Sequence, residues 1–220
     1  MAGCARWVAL IAVGCAFVCG ESAATDELSA QALFAWRPFL SHAHSHNDYQ
    51  QMRPLLDALG AGVSSVEADL YFDRGTIRVA HDRGKWRGDF ETLYLQPLNA
   101  RWEANALGRE ATGRFLLWLD LKEPTPSLRA SLETMLMRYP MTRMADPART
   151  RVQIILTGNE TAKRAFAAET ASPLVTRDSN IFSDTDEEGS DRWRWYALDW
   201  SKIGTWTGEG AMPPHERDHL

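Results

Sequence analysis

Cysteine stops at residue 19. The 220-residue chain has three, Cys4, Cys15 and Cys19, so no disulfide framework can be built in its main body. Histidine is scarce too, with six residues and none between His81 and His215. That gap counts against two-metal amidohydrolase or phosphoesterase centres, which need further histidines from later strands. An excess of positive charge is also missing. The formal net charge of −5 offers no basic surface to nucleic acid or an anionic membrane. Repeats and disordered stretches are absent, and 45% apolar content is enough for one substantial core.

The longest apolar run covers residues 7–19, after Arg6 and before Ser22-Ala23-Ala24. A short run with this flank and a small-x-small site reads as a secretory signal peptide over 1–24, too short to span a bilayer stably. Export, secreted or periplasmic, is the expectation. Lipid attachment at Cys15 or Cys19 is the weaker alternative, because Ala12-Val13-Gly14 and Ala16-Phe17-Val18 fit a lipobox poorly. With the leader removed, no transmembrane segment is expected.

A weakly amphipathic lead-in helix is predicted over 25–38, stopped near Pro38, and the folded domain over 39–220. Strands are predicted over 39–44, 64–72, 76–81, 114–122, 152–156, 174–179 and 195–200. Helices are predicted over 52–60, 91–98, 127–139 and from 159 through Phe166. Alternating strands and helices imply a parallel α/β arrangement, and their number favours a TIM-type (β/α) barrel over an open sheet.

Four of the six histidines lie between Leu40 and Asp82. Within that stretch Glu67 and Asp69 stand two apart on an apolar strand, so both carboxylates share one face. Two like charges side by side need a cation between them, and hard oxygen ligands suit Mg²⁺ or Ca²⁺. His44 and His81 flank the pair and are candidates for general base and general acid. Asp120 and Lys122 repeat the two-residue spacing on a later strand. In a barrel all these strand ends converge on one face. His46 reads as a hydrogen-bonding neighbour of the site and His42 as an ordinary strand residue. His215 and His219 read as bystanders, and the acidic run 184–188 as a solvated loop. Trp193, Trp195, Trp200 and Trp206 fit barrel packing as well as a substrate groove, and Asp199 has no role that its spacing proves.

The ordered set His44-Ser45-His46-Asn47-Asp48-Tyr49, Arg53-Pro54-Leu55, Ser65-Val66-Glu67-Ala68-Asp69 and Val79-Ala80-His81-Asp82 resembles the phosphatidylinositol-phospholipase-C-like phosphodiesterases. It looks closest to the altered inheritance of mitochondria protein 6 group, relatives of the glycerophosphodiester phosphodiesterases. Thr92-Leu93-Tyr94-Leu95-Gln96-Pro97-Leu98 and Leu119-Asp120-Leu121-Lys122 resemble that group's later motifs. The resemblance implies a barrel enzyme that cleaves a phosphodiester with a divalent cation held by Glu67, Asp69 and Asp120. It implies His44 as general base, His81 as general acid, Lys122 near the phosphoryl oxygens and Asn47 positioning the phosphate. A lysophospholipid, a glycerophosphodiester and an inositol lipid all fit as substrate.

Without its leader the chain is shorter than the roughly 250 residues typical of a complete barrel. The sequence therefore predicts a barrel truncated before its last strands, with the wall beside His44 open. The alternative function is a non-catalytic remnant that binds a phosphate headgroup or metal. A sugar hydrolase is disfavoured, because two carboxylates on one strand are too close to straddle a glycosidic bond.

Overall fold

The computed structural model describes residues 40, 43–104, 115–142, 152–169, 175–179, 193–196 and 204–217. The leader, the lead-in helix, His42, residues 184–188, Asp199, Trp200 and His219 lie outside them.

Among the described residues seven strands form one sheet: β1 (Ser65–Asp73), β2 (Thr76–Val79), β3 (Gly88–Asp89), β4 (Phe115–Leu121), β5 (Val152–Gly158), β6 (Val175–Ser179) and β7 (Trp193–Tyr196). Their order is β3-β2-β1-β4-β5-β6-β7. The run from β1 through β4, β5 and β6 to β7 is parallel, whereas β2 and β3 fold back antiparallel. The expected barrel is not closed among the described residues, since edge strands β3 and β7 do not pair with each other. The architecture they establish is a mixed α/β sheet with helices.

Alternation along the strands explains why this sheet forms. On β4, Phe115, Leu117, Leu119 and Leu121 are fully or nearly fully buried, and the residues between them are half-buried. Register places these beside Val66, Ala68 and Leu70 of β1 and Val152, Ile154 and Leu156 of β5 on one face. Leu128, Leu132 and Leu136 of α3 (Pro126–Met137) join the same core. Each such side chain stabilises the fold by about 1.5–3 kcal/mol. The opposite face carries Ser65, Glu67 and Asp69 of β1, Trp118 and Asp120 of β4, Thr157 of β5 and Asp178 of β6. One face thus makes the core, and the other carries the chemistry.

Several local departures have identifiable causes. Among the described residues, the segment expected as a first strand makes two isolated parallel bridges, Leu40 with Val63 just before β1 and Ser45 with Val66 of β1. It shares its edge of β1 with β2, because β4 occupies the other edge. The helix expected over 52–60 begins later, as α1 (Leu56–Ala61), because Leu55 adopts a positive φ of 63° and interrupts the backbone. The β1–β2 hairpin turns on Arg74 and Gly75, with φ of 47° and 88°, the two positive values a tight two-residue turn requires. β2 ends at Val79, so His81 lies two residues beyond the strand. Residues 91–95 form a wide π-helical turn leading into α2 (Gln96–Glu103). Pro97 follows in the first turn of α2, where its missing backbone N–H is tolerated. α4 (Glu160–Glu169) follows β5, and α5 (Pro214–Arg217) lies at the end of the described residues. Of the strand expected over 195–200, Trp195 and Tyr196 belong to β7, and 197–200 lie outside the described residues.

Candidate functional site

β1 and β4 lie in parallel register with Asp69 beside Asp120 and Glu67 beside Trp118. Carboxylates two residues apart on β1 therefore meet a third from the neighbouring strand. One oxygen from each of Glu67, Asp69 and Asp120 lies within 4.8 Å of the others. Glu67 and Asp69 are buried and Asp120 is half-buried. Burial raises the Glu67 pKa, and nearby Asp69 and Asp120 push it the same way. The backbone N–H of Asn47 and the charge of His46 act against that rise.

The cation that this crowding demands is partly supplied by the chain. Lys122 Nζ lies 2.8 Å from Asp69 Oδ2 and 2.6 Å from Asp120 Oδ2. Burial acts to lower its pKa, but the bonds to Asp120 and Asp69 outweigh that and hold it raised. The ammonium expected near phosphoryl oxygens is thus bonded to two of the carboxylates.

Three carboxylates against one ammonium leave a deficit that a single divalent ion would neutralise. Asp69 Oδ1 is buried and has no hydrogen-bond partner among the described residues. A buried carboxylate oxygen without a donor is costly unless a cation occupies its free side. The donor set is all oxygen, the chemistry of Mg²⁺ and Ca²⁺. The residues therefore fit the ion their sequence pattern implies.

The loop before β1 completes this side of the site. Asn47, at φ 51°, takes the left-handed conformation that Asn tolerates better than most residues. It turns its backbone N–H onto Glu67 Oε2 at 3.1 Å. His46 is exposed and brings Nε2 to 3.3 Å from the same oxygen. Tyr49, 1% exposed, holds its hydroxyl 2.7 Å from Asn47 Oδ1 and 2.9 Å from Asp69 Oδ2. With one proton it donates to one of them at a time. Burial and the bond to Asp69 raise its pKa, so it stays protonated.

His44 is exposed, yet its Nδ1 is 2.8 Å from Ser65 Oγ and its ring packs edge-on to Trp118 at 5.9 Å. Ser65 shares the face of Glu67 and Asp69, so His44 stands on the carboxylate side of the sheet. Desolvation, then the charge of His46, lowers the His44 pKa. A proton-NMR titration is expected to find it below the ordinary imidazole value of about 6.5, with Trp118→Ala moving it back up. Because the folded value is depressed, the stability His44 contributes is present above the unfolded value and lost as pH falls through the folded one.

His81 is exposed and reaches Asp82 Oδ1 at 3.2 Å. Its carbonyl accepts from the Tyr71 hydroxyl, and the backbone N–H of Ala80 bonds to the carbonyl of Asp69. The structure thus gathers Glu67, Asp69, Asp120, Lys122 and Asn47 into one cluster. His44 stands on the cluster's face, and His81 follows the strand beside it. Tyr49, Ser65 and Trp118 were not singled out as site residues from the sequence. Ser65 and Tyr49 do fall within the quoted motifs, but their partners are distant in sequence.

Gly158, the last residue of β5, limits the site from the far side. Its φ is +85°, and an added Cβ would come 2.8 Å from Asp120 Cγ and 3.0 Å from the Leu121 backbone nitrogen. Gly158→Ala is expected to cost about 2–4 kcal/mol through the left-handed backbone and the clash. It should also weaken divalent-ion binding by moving Asp120. Denaturant unfolding and calorimetry with Mg²⁺ would check both effects.

A family model, the AIM6-like phosphodiesterase domain, matches residues 38–115. Over this stretch the chain matches a phosphodiesterase-like family. Curated relatives agree with the resemblance drawn from the motifs. Altered inheritance of mitochondria protein 6 of Eremothecium gossypii is 43% identical over 65 residues, covering 28% of this chain and 17% of the relative. Its namesake in Kluyveromyces lactis is 39% identical over 64 residues, covering 27% and 15%. The matching part is thus under a fifth of the length of those relatives. No solved structure matches significantly. The matched stretch contains His44, Asn47, Glu67, Asp69 and His81 but ends before Asp120 and Lys122.

Proposed function

We propose that this chain is a metal-dependent phosphodiesterase acting on a lipid-headgroup or glycerophosphodiester type of substrate. One observation carries the reading. Three carboxylates from two strands converge beside the unpartnered, buried Asp69 Oδ1, on the sheet face that also bears His44. Glu67, Asp69 and Asp120 would hold Mg²⁺ or Ca²⁺, which offsets negative charge on phosphoryl oxygens when bound. Lys122 adds positive charge at the same place, and Asn47 orients the loop over the site. His44 and His81 serve the proton transfers and the hydrogen bonds to the phosphate. A neighbouring hydroxyl of the substrate, or water where none exists, is the nucleophile. Residues 1–24 act as an export leader in this reading, which N-terminal sequencing of the exported protein would check. Among the described residues no helix is long and apolar enough to cross a membrane.

The test is hydrolysis of a chromogenic aryl phosphodiester and of a lysophospholipid, with and without Mg²⁺ or Ca²⁺. Turnover is expected to need the ion and to fall about 10²–10⁴-fold in His44→Ala and in His81→Ala, with the fold retained. Equal turnover in both variants and the parent would reject the proposal. Ion binding without turnover of either substrate would make the chain a non-catalytic metal or phosphate binder.

A further inference from the structure

The sequence assigns the general base to His44 and the general acid to His81. The hydrogen-bond partners of the two rings point the other way. Trp118 Nε1 can only donate, and it lies 3.1 Å from Ser65 Oγ. Ser65 therefore accepts from Trp118 and has one hydroxyl proton left to give. Among the described residues the remaining partner of that hydroxyl is His44 Nδ1 at 2.8 Å. If Ser65 donates there, the Trp118 N–H and the Ser65 hydroxyl proton both have acceptors. The reverse direction would leave the Ser65 hydroxyl, in a residue only 8% exposed, without an acceptor. Neutral His44 thus accepts at Nδ1 and carries its proton on Nε2.

His81 has the opposite environment. Its Nδ1 faces Asp82 Oδ1, and an ionised carboxylate can only accept, so Nδ1 carries the proton. Lys85 Nζ, 3.0 Å from Asp82 Oδ2, keeps that carboxylate ionised and oriented. The Nε2 lone pair of His81 is then free.

We propose that Ser65 and Trp118 fix His44 as a neutral Nε2–H donor and that Asp82 fixes His81 as the base. This assignment rests on the phosphodiesterase reading above. In the reaction, the attacking hydroxyl gives its proton to His81 Nε2 as its oxygen bonds to phosphorus. The phosphorus–oxygen bond to the leaving group breaks with its electron pair on the departing oxygen. That oxygen takes a proton from solvent water, and His81 returns its own proton to solvent. His44 keeps its proton throughout and holds it toward a phosphoryl oxygen, as a neutral imidazole with a depressed pKa can. Ser65, Trp118 and Asp82 are positioning residues that act through the two rings.

Long-range proton–nitrogen NMR of the nitrogen-15-labelled full chain, near pH 8, reads the tautomers directly. The expected result is Nε2–H for His44 and Nδ1–H for His81. Ser65→Ala should convert His44 to a mixture, and Asp82→Asn should do the same for His81. A hydrogen-bond donor, unlike a base, is replaceable by an amide. His44→Gln should therefore retain at least ten times the turnover of His44→Ala, whereas His81→Gln should be no better than His81→Ala. Reversed tautomers, or equal losses in His44→Gln and His44→Ala, would overturn the assignment and leave the phosphodiesterase reading standing. Absence of turnover in the parent would remove that reading, and the catalytic roles with it, whatever the tautomers are.

Discussion

Asp69→Asn is expected to abolish divalent-ion binding while leaving the fold intact. Asp69 is 1% exposed, and its two oxygens have different tasks. Oδ2 accepts from Lys122 and meets the Tyr49 hydroxyl, whereas Oδ1 has no partner among the described residues. An Asn side chain keeps its carbonyl oxygen on the Lys122 and Tyr49 side and turns its amide nitrogen toward the free side. A nitrogen bearing two protons cannot ligate a cation there. The affinity for Mg²⁺ or Ca²⁺ should fall by more than the roughly 10–100-fold seen when a group that merely supports a ligand is lost. Turnover, where present, should drop by at least about 10³-fold, the loss of several kcal/mol of charge stabilisation. Lys122 retains Asp120 as partner, so the unfolding midpoint should change little without metal. Calorimetric titration beside thermal unfolding separates the two effects. Undiminished ion binding in this variant would show that the ion, if any, binds elsewhere.

The second large effect concerns a carboxylate that takes no part in the chemistry. Asp48 is fully buried, and its oxygens accept from Leu55 N–H at 2.6 Å, Ser45 Oγ at 2.8 Å and the Tyr94 hydroxyl at 3.0 Å. It ties the loop bearing Asn47 and Tyr49 to the start of α1 and to the wide turn at 91–95. Asp48→Ala strands three donors, two of them from buried residues, and should cost about 3–5 kcal/mol in denaturant unfolding. Ion affinity should weaken too, since Tyr49 and Asn47 lose their anchor. Asp48→Asn should cost less, because Ser45 can turn to accept from the new amide. Burial, only partly offset by the bonds from Leu55, Ser45 and Tyr94, holds the Asp48 pKa above its ordinary value. A raised folded value means that the stability Asp48 contributes is fully present below its unfolded pKa of about 3.9. It is lost as pH rises through the folded value. The stability gap between the parent and Asp48→Asn should therefore be widest in acid and narrow toward neutrality. A gap that widens with rising pH would contradict this account.

The face of β1 that carries the carboxylates was legible in the chain because strand periodicity is strictly two. Glu67 and Asp69 had to emerge together, and Val66, Ala68 and Leu70 had to face the core. The same rule placed Asp120 among the alternating leucines of β4. The tight connection between the strands expected over 64–72 and 76–81, and the helix expected over 127–139, were equally local. Motif order carried the family resemblance, since it needs only residue identities and their sequence.

Other features depend on which strands become neighbours. The meeting of Asp69 with Asp120 follows from a parallel register across more than forty residues of chain, which no local pattern specifies. The family resemblance implied Lys122 near the phosphoryl oxygens, but only packing decides that its ammonium lies on two carboxylates. The break of α1 at Leu55 comes from a buried bond to Asp48, which overrides helical periodicity. The tautomers of His44 and His81 follow from Ser65, Trp118 and Asp82, of which only Asp82 is adjacent in sequence. Periodicity and residue chemistry by themselves determined which groups the protein presents on one face of its strands. Tertiary structure decided how those groups share protons and charge, because hydrogen bonds act over about 3 Å and depend on which neighbours the fold supplies.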